Sequence, residues 1–230
     1  MSQPTLLLVH GWGLAASVWR PIIQQLGNPP HISLDFGFYG RKTLDIPDDR
    51  PLVAVGHSLG FLWLLQHIST AMWGDRVEGL VSINGFARFS KAEDFPHGVD
   101  HCLLRGMKNG LQRDPVKVLN DFRELGGGPG GDLIGADAKQ RLDTMALAYG
   151  LGWLKEWDGR DVLAGWQKPF LALANSDDNI VTPAITTDSF AGLAGGQNSI
   201  EWLEGGGHLG LLSRPRVYGD LLQRFYGSFL

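Results

Sequence analysis

The sequence Val53-Ala54-Val55-Gly56-His57-Ser58-Leu59-Gly60, continued by Phe61-Leu62-Trp63-Leu64-Leu65, decides the fold of this chain. Its first three residues predict the end of a buried strand, and the apolar run from Leu59 predicts a helix. Two glycines bracket Ser58 and leave room for a strained turn that lifts the serine hydroxyl above the sheet edge. The free N–H groups at the start of the helix would face the same point. We therefore expect a nucleophilic serine here, against the alternative of an ordinary glycine-rich turn.

Short apolar runs alternate with helical patterns on both sides of this stretch. Ser17 is expected to cap the first helix. The alternation predicts a doubly wound, mostly parallel α/β sheet with crossover helices. The segment between Arg41 and Leu52 is too short for a helix, so one crossover should lack it. Strands are predicted at residues 5–9, 31–34, 52–55, 77–83, 169–174 and 199–203, and helices at 17–26, 59–72, 183–193 and 214–229.

The alternation breaks after the strand at 77–83. Residues 86–165 contain no strand-like run. Helical patterns cover 98–109, 115–125 and 136–157, with a glycine-rich loop at 126–135. We predict one domain, in which residues 1–85 and 167–230 form the core and residues 86–166 form a helical lid over the strand ends, here called the cap.

Composition excludes several classes of function. A net charge of −4 argues against a general nucleic-acid-binding protein. The apolar runs are far shorter than the roughly 20 residues of a membrane helix, so we expect no membrane span. The single Cys102 excludes an internal disulfide and suits a reducing compartment. The first residues lead straight into a strand without a signal peptide, so we expect a cytoplasmic protein.

A nucleophilic serine needs a base, and the base needs an orienting carboxylate. In a doubly wound sheet the site lies beyond the carboxyl ends of the strands. His208 follows the last predicted strand, and Asp177 and Asp178 follow the one before it. The chain order Ser58, Asp178, His208 is the one expected of this architecture. Asp178 is preferred because one residue and then two aliphatic residues follow it, whereas Asp177 is expected to cap its own turn.

The other histidines have structural interpretations. His10 and His57 each precede a turn glycine or the serine, so a structural hydrogen bond is expected of both. His97 and His101, with Asp100, would make an incomplete metal site, because a fourth ligand is missing. We expect no metal and no cofactor.

An oxyanion hole requires two backbone donors aimed at the tetrahedral intermediate. One should be the N–H of Leu59, directly after the serine. The other should come from the loop after the first strand, where Trp12 stands between two glycines.

These motifs resemble those of the α/β-hydrolase superfamily. Within it, the chain is most similar to the pimeloyl-acyl-carrier-protein methyl ester carboxylesterases of biotin synthesis. That resemblance implies a triad of Ser58, Asp178 and His208, with Trp12 and Leu59 binding the carbonyl. The residues that carry it are His10-Gly11-Trp12-Gly13, 35–41, 56–60, 178–181 and Gly207-His208, and for the subfamily 7–14, Val18-Trp19, Phe89-Ser90, Phe95-Pro96 and 147–173.

The resemblance also implies an acyl-carrier-protein-linked substrate, held by basic residues of the cap. Residues 86–166 carry 11 basic and 12 acidic residues, so the cap has no net positive charge. Alternatively, these basic residues only form part of an ordinary solvent-exposed surface of the cap. The candidate patch consists of Arg105, Lys108, Arg113 and Lys117.

A further departure from the family concerns packing, and a separate expectation concerns the pocket. Phe61 stands where a small residue often follows the serine turn, so it should crowd the helix against the sheet. Phe122 and Leu125 share the apolar side of a predicted cap helix, and we expect them to line an acyl pocket.

The leading hypothesis is a monomeric serine carboxylesterase that forms an acyl-enzyme on Ser58. Its substrate would be the methyl ester of a carrier-bound dicarboxylate, or else a small ester. The alternatives are a lactonase or cofactor-free haloperoxidase using the same triad, and a catalytically idle ligand-binding relative.

Overall fold

A computed structural model describes residues 3–47, 50–128, 140–193 and 198–230 of the chain. One six-stranded sheet has the order β2-β1-β3-β4-β5-β6, and every neighbouring pair is parallel. The doubly wound α/β sheet expected from the sequence is therefore present. Its strands are β1 (Thr5–Val9), β2 (His31–Leu34), β3 (Leu52–His57), β4 (Val77–Ile83), β5 (Phe170–Asn175) and β6 (Asn198–Leu203).

Helices cover both faces of the sheet and form the cap. In the described residues, short 3₁₀ turns also occupy Ala16–Trp19 and Gly74–Arg76. The α-helices there are α1 (Arg20–Gln25), α2 (Leu59–Ile68), α3 (His101–Arg113), α4 (Pro115–Leu125), α5 (Thr144–Glu156), α6 (Arg160–Ala164), α7 (Pro183–Phe190), α8 (Gly210–Ser213) and α9 (Pro215–Gly227).

Several predicted helix boundaries move for local reasons. The prediction that Ser17 caps a helix is wrong, because it lies inside the 3₁₀ turn that precedes α1. Helix α3 starts later than expected, because Asp100 is its N-cap and accepts a hydrogen bond from the Cys102 N–H. The start of the helix predicted at 136–157 and most of the loop predicted at 126–135 lie outside the described residues.

The strands are long apolar runs because both of their faces are covered. Every residue of β1 and β3 is buried. Alternate residues of β1 enter different clusters: Leu7 and Val9 pack under the cap side, and Leu6 and Leu8 pack against α1 and α9. The sheet is thus the shared wall of two hydrophobic cores.

The crossover from β2 to β3 is short, as expected. Residues 41–47 and 50–51, the described part of this connection, contain no helix. An isolated antiparallel bridge between Asp35 and Thr43 turns the chain back instead.

The cap leaves the sheet after β4 and returns at β5. The Arg88 guanidinium lies 2.6 Å from the Asp158 carboxylate, and the Gly159 N–H donates to the Ala87 carbonyl at 2.7 Å. These contacts tie the first and last residues of the cap together. Among the residues that the structure describes, no helix has the length and apolarity needed to cross a membrane.

Candidate active site

The turn between β3 and α2 is strained at Ser58. This serine has φ 53° and ψ −123°, in a region that non-glycine residues rarely adopt. Its N–H donates to the Ile83 carbonyl at 3.0 Å, which anchors the turn to β4. A side chain at Gly60 would collide with the Val9 carbonyl, so only glycine lets α2 start this close to β1. The strain therefore persists because packing on both neighbouring strands enforces it.

Phe61 does not push α2 away from the sheet. It is fully buried, with its ring 6.1 Å from that of Phe170 and 6.0 Å from that of Phe190. A Cβ at Gly85 would collide with the Phe61 side chain, and a Cβ at Gly56 would collide with the Phe61 backbone, so glycine at both positions leaves room for this residue. The expected crowding of α2 against the sheet therefore does not occur.

Ser58, His208 and Asp178 form one continuous hydrogen-bonded chain. The Ser58 Oγ lies 2.9 Å from His208 Nε2, and His208 Nδ1 lies 2.7 Å from Asp178 Oδ2. His208 is 0% exposed, Asp178 3% and Ser58 4%. The other carboxylate oxygen, Oδ1, accepts the N–H groups of Ile180 and Val181, both at 2.8 Å. The carboxylate is therefore fixed in place and holds one ring nitrogen, while the other faces the serine.

The neighbouring Asp177 has a different position. Its exposed carboxylate accepts the Gly207 N–H, with 3.2 Å to each oxygen. The prediction that Asp177 caps its own turn is wrong, because it instead fastens the glycine-rich loop before His208.

The loop after β1 lies beside Ser58, since a Cβ at Gly11 would be 3.1 Å from the Ser58 Cβ, and it carries the second expected backbone donor. We call residues 10–14 the β1 loop. Leu14 N–H donates to the Gly11 carbonyl at 3.3 Å, and Gly13 has φ 67°, as a type II turn requires at its third position. Within the described residues, the N–H groups of Trp12 and Leu59 donate to no backbone carbonyl.

A buried polar frame holds the backbone of His208, and the sequence analysis missed it. Asn84 Nδ2 donates to the carbonyls of Gly207 at 3.1 Å and His208 at 2.9 Å. Its Oδ1 accepts the Asn175 N–H at 3.0 Å, and Asn175 Nδ2 in turn bonds the Gly207 carbonyl. Two asparagines at the ends of adjacent strands were the available signal, because polar groups there converge on one edge.

His57 joins the same frame from the other side. Its Nε2 donates to the His208 carbonyl at 3.0 Å. Burial holds the pKa of His57 well below its usual value, and the neighbouring His208 and His10 lower it further. The ring is therefore a neutral donor. His10 also has a structural contact, since its Nε2 accepts the Phe36 N–H at 3.1 Å.

The cap contributes apolar walls, but not all of those expected. The Phe122 ring lies 5.0 Å from the Trp12 ring and 6.1 Å from the His208 ring. Leu119, one turn earlier on α4, is fully buried beside Gly13. Leu125 is 52% exposed, so the structure does not bring it to the triad.

The expected basic patch is divided by its local contacts. Lys117 forms an ion pair with Asp121 at 2.6 Å, one helical turn away. Arg105, Lys108 and Arg113 are exposed on α3, which has no acidic residue, and they make no ion pair with the part of the chain described here. The local positive surface is therefore α3 alone.

The cap histidines have other partners. His97 Nδ1 lies 2.7 Å from Asp188 Oδ2, and His101 Nε2 lies 3.0 Å from the Lys91 carbonyl. In the described residues, no three His, Cys, Asp or Glu side chains converge as a metal site would need.

Relatives and solved structures place this geometry in context. No family model matches the chain. It is 30% identical over 250 residues to a pimeloyl-acyl-carrier-protein methyl ester esterase of Stenotrophomonas maltophilia (strain R551-3), covering 96% of this chain and 92% of that protein. It is 27% identical over 252 residues to a biotin biosynthesis bifunctional protein of Cellvibrio japonicus, of which it spans 48%.

An esterase structure from Exiguobacterium antarcticum superposes with a TM-score of 0.85 at 15% identity, covering 98% of this chain and 92% of that one. This likeness concerns the fold, and it confirms the α/β-hydrolase architecture expected from the sequence.

Proposed function

Because the chain belongs to the family of the pimeloyl-acyl-carrier-protein methyl ester esterases, we propose that it is a serine carboxylesterase with Ser58 as its nucleophile. The observation that carries the proposal is the unbroken chain from the Ser58 Oγ through His208 to Asp178, with distances of 2.9 and 2.7 Å. A serine in a strained turn with a buried base and a fixed carboxylate is the arrangement that acyl transfer requires.

The reaction proceeds in two halves. Ser58 Oγ attacks the ester carbonyl while His208 Nε2 takes its proton, and the carbonyl oxygen becomes an oxyanion. The N–H groups of Trp12 and Leu59 stabilise that charge. Collapse breaks the bond to the alkoxy oxygen, which leaves as the alcohol with the proton from His208. Water then attacks the acyl-enzyme with the same base, and the acid and free Ser58 are released.

Asp178 serves His208 in both halves. Its Oδ2 accepts a hydrogen bond from the Nδ1–H, which keeps Nε2 free to receive the serine proton and stabilises the imidazolium that forms. Asn84 and His57 hold the His208 carbonyl, so the ring is positioned from its backbone as well as from its side chain.

We place the enzyme in biotin synthesis, with a methyl ester on a carrier-bound acyl chain as the substrate. The names of the relatives support this assignment, and so does the charge of α3. Arg105, Lys108 and Arg113 present an exposed cationic helix, which suits an acidic carrier protein. Lys117, already paired with Asp121, is left out of this surface.

Hydrolysis of p-nitrophenyl esters of increasing chain length tests the esterase. Ser58→Ala should abolish turnover while the fold is retained. Ser82→Ala is the matched control, because Ser82 is a buried serine on the neighbouring strand β4 and faces no substrate in this proposal. Full activity in Ser58→Ala would exclude the serine mechanism.

A charge reversal tests the carrier protein. Arg105→Glu with Arg113→Glu should weaken turnover of a carrier-linked methyl ester by roughly tenfold at low salt, and the loss should shrink as salt screens the wild-type attraction. Free methyl esters should be hydrolysed as by the wild type, and Lys117→Glu should have a smaller effect. Equal losses on both substrates would mean that the cap was destabilised. No loss on either would leave a small-ester hydrolase.

A further inference from the structure

The β1 loop is restrained at Trp12 and Gly13 by contacts from outside the loop. Its own closing hydrogen bond, from Leu14 N–H to the Gly11 carbonyl, is long at 3.3 Å. Gly13, at φ 67°, adds a flexible backbone position directly after Trp12. A turn of this kind aims its N–H groups accurately only where neighbouring groups restrain it.

Two side chains converge on one carbonyl of this loop. The Tyr39 hydroxyl donates to the Gly13 carbonyl at 2.8 Å, and Arg123 Nη2 approaches the same oxygen at 3.2 Å. Arg123 Nη2 also donates to the Tyr39 hydroxyl at 3.0 Å, and its guanidinium lies 5.9 Å from the centre of the Tyr39 ring. The cation polarises the hydroxyl that it contacts, so each hydrogen bond strengthens the other.

The cap also forms a hydrogen bond with Trp12, the residue before Gly13. Trp12 Nε1 donates to the Leu147 carbonyl on α5 at 2.9 Å, and the bond is buried. On the other side, Leu119 of α4 packs against Gly13. Two cap helices therefore hold adjacent residues of the β1 loop, and the Trp12 N–H lies directly before these two points of attachment along the chain.

We propose that Arg123 and Tyr39 are positioning residues for the Trp12 N–H, so that the closed cap completes the oxyanion hole. The inference rests on the proposed function, because it concerns the donor that stabilises the oxyanion. A cap that has moved away loses the contacts of Arg123 and Leu147 with the loop. The donor is then misdirected, although Ser58, His208 and Asp178 keep their geometry on the sheet.

Substitutions that keep the shape of the pocket test this assignment. Arg123→Met and Tyr39→Phe should each lower kcat, Arg123→Met by roughly tenfold, less than removal of an oxyanion donor itself. KM should stay within about twofold for acetyl and longer esters alike, because ground-state binding does not need the oxyanion donor. The double variant should be less severe than the product of the two, since both residues serve one carbonyl. Arg123→Lys should recover part of kcat.

Lys155→Met is the matched control, because it removes an exposed cation from cap helix α5 without touching the β1 loop. It should behave as the wild type. A second readout is the rate at which a p-nitrophenyl alkylphosphonate labels Ser58. Its phosphoryl oxygen uses the same donors, so the rate should fall in parallel with kcat in Arg123→Met and Tyr39→Phe.

Unchanged kcat and labelling in Arg123→Met and Tyr39→Phe would overturn the inference while leaving the esterase intact. A rise in KM that grows with acyl length, with kcat retained, would also overturn it, because the residues would then only shape the pocket. A wild-type protein that neither hydrolyses esters nor takes the label at Ser58 would overturn the proposed function itself, and this inference with it.

Discussion

The sheet side and the cap side of the proposed site are held by different kinds of contact. On the sheet side, Ser58, Asp178 and His208 stand at strand ends, fully or almost fully buried, and are fixed by several hydrogen bonds each. On the cap side, Arg123 and Phe122 reach in from α4 and are only partly buried. A change on the sheet side should thus affect stability and chemistry together, whereas a change on the cap side should alter positioning or selectivity and leave the fold intact.

The largest contrast should lie within the sheet side, between two adjacent aspartates. Asp178→Asn should lower kcat by roughly 10⁴-fold, because the amide would favour the wrong tautomer of His208. Asp177→Asn should cost far less, since its carboxylate only fastens the Gly207 N–H. Steady-state kinetics of both variants on one p-nitrophenyl ester decides the matter, and the opposite ranking would show that Asp177 is the acid.

The second largest effect should come from the polar frame behind His208, and it should be a loss of stability. Asn84→Ala removes three buried hydrogen bonds and places alanine at φ 45°, so the free energy of unfolding should fall by about 3 kcal/mol. Urea unfolding measures the loss. Asn84→Gly, which tolerates the backbone, should lose slightly less, and Ser82→Ala should stay within about 0.5 kcal/mol. An Asn84→Ala protein as stable as the wild type would mean that the frame contributes little.

Substitutions on the cap side should alter the selectivity of the enzyme for acyl chain length. Phe122→Ala should raise KM for longer acyl esters more than for acetyl esters, because each methylene that loses an apolar wall forfeits up to ~0.8 kcal/mol of burial. Leu125→Ala is the matched control on the same helix, and at 52% exposure it should leave KM unchanged for every chain length. A uniform rise in KM would show that Phe122 does not line the acyl path.

The smallest effect is expected at the base of the cap, where removing the charge of Asp158 should lower the stability of the fold only slightly. Burial would raise the pKa of Asp158, but hydrogen bonds from Arg160 and Arg88 outweigh it and lower that pKa to about 2. A depressed carboxyl pKa stabilises the fold above the unfolded value of 3.8, and this contribution is lost as pH falls from about 4 to 2. Because the group is partly exposed, Asp158→Asn should cost only about 1 kcal/mol at pH 7.

Thermal unfolding against pH tests this expectation. The gap between Asp158→Asn and the wild type should close as the pH approaches 2. A gap that stays constant over that range would mean that the carboxylate charge is not what ties the two ends of the cap together.

The sheet side of the site could largely be predicted from the sequence, whereas the cap side could not. The sheet side follows from local pattern, because parallel strands bring all their carboxyl ends to one edge. A serine turn after β3 and polar residues after β5 and β6 therefore had to meet, and the structure brings Ser58, Asp178 and His208 together. The frame of Asn84 and Asn175 was missed, since a polar residue at a strand end has many possible partners until packing selects one.

The cap side depends on tertiary contacts that periodicity does not encode. The apolar stripe of α4 continues to Leu125, but the neighbouring core does not extend that far, so Glu124 and Leu125 at the end of the helix are exposed. The pairing of Lys117 with Asp121 was readable from their spacing of four residues. The contact of Arg123 with the β1 loop was not, because the two segments are 110 positions apart in sequence.

The most direct test of the central claim is to trap the covalent enzyme. Wild-type protein treated with a p-nitrophenyl alkylphosphonate should gain one phosphonyl group, found by mass spectrometry on the peptide that contains Ser58, in step with the loss of esterase activity. Ser82→Ala should be labelled as the wild type is, and Ser58→Ala should gain no label. A label on another residue that accompanies the loss of activity, or full activity in Ser58→Ala, would contradict the account.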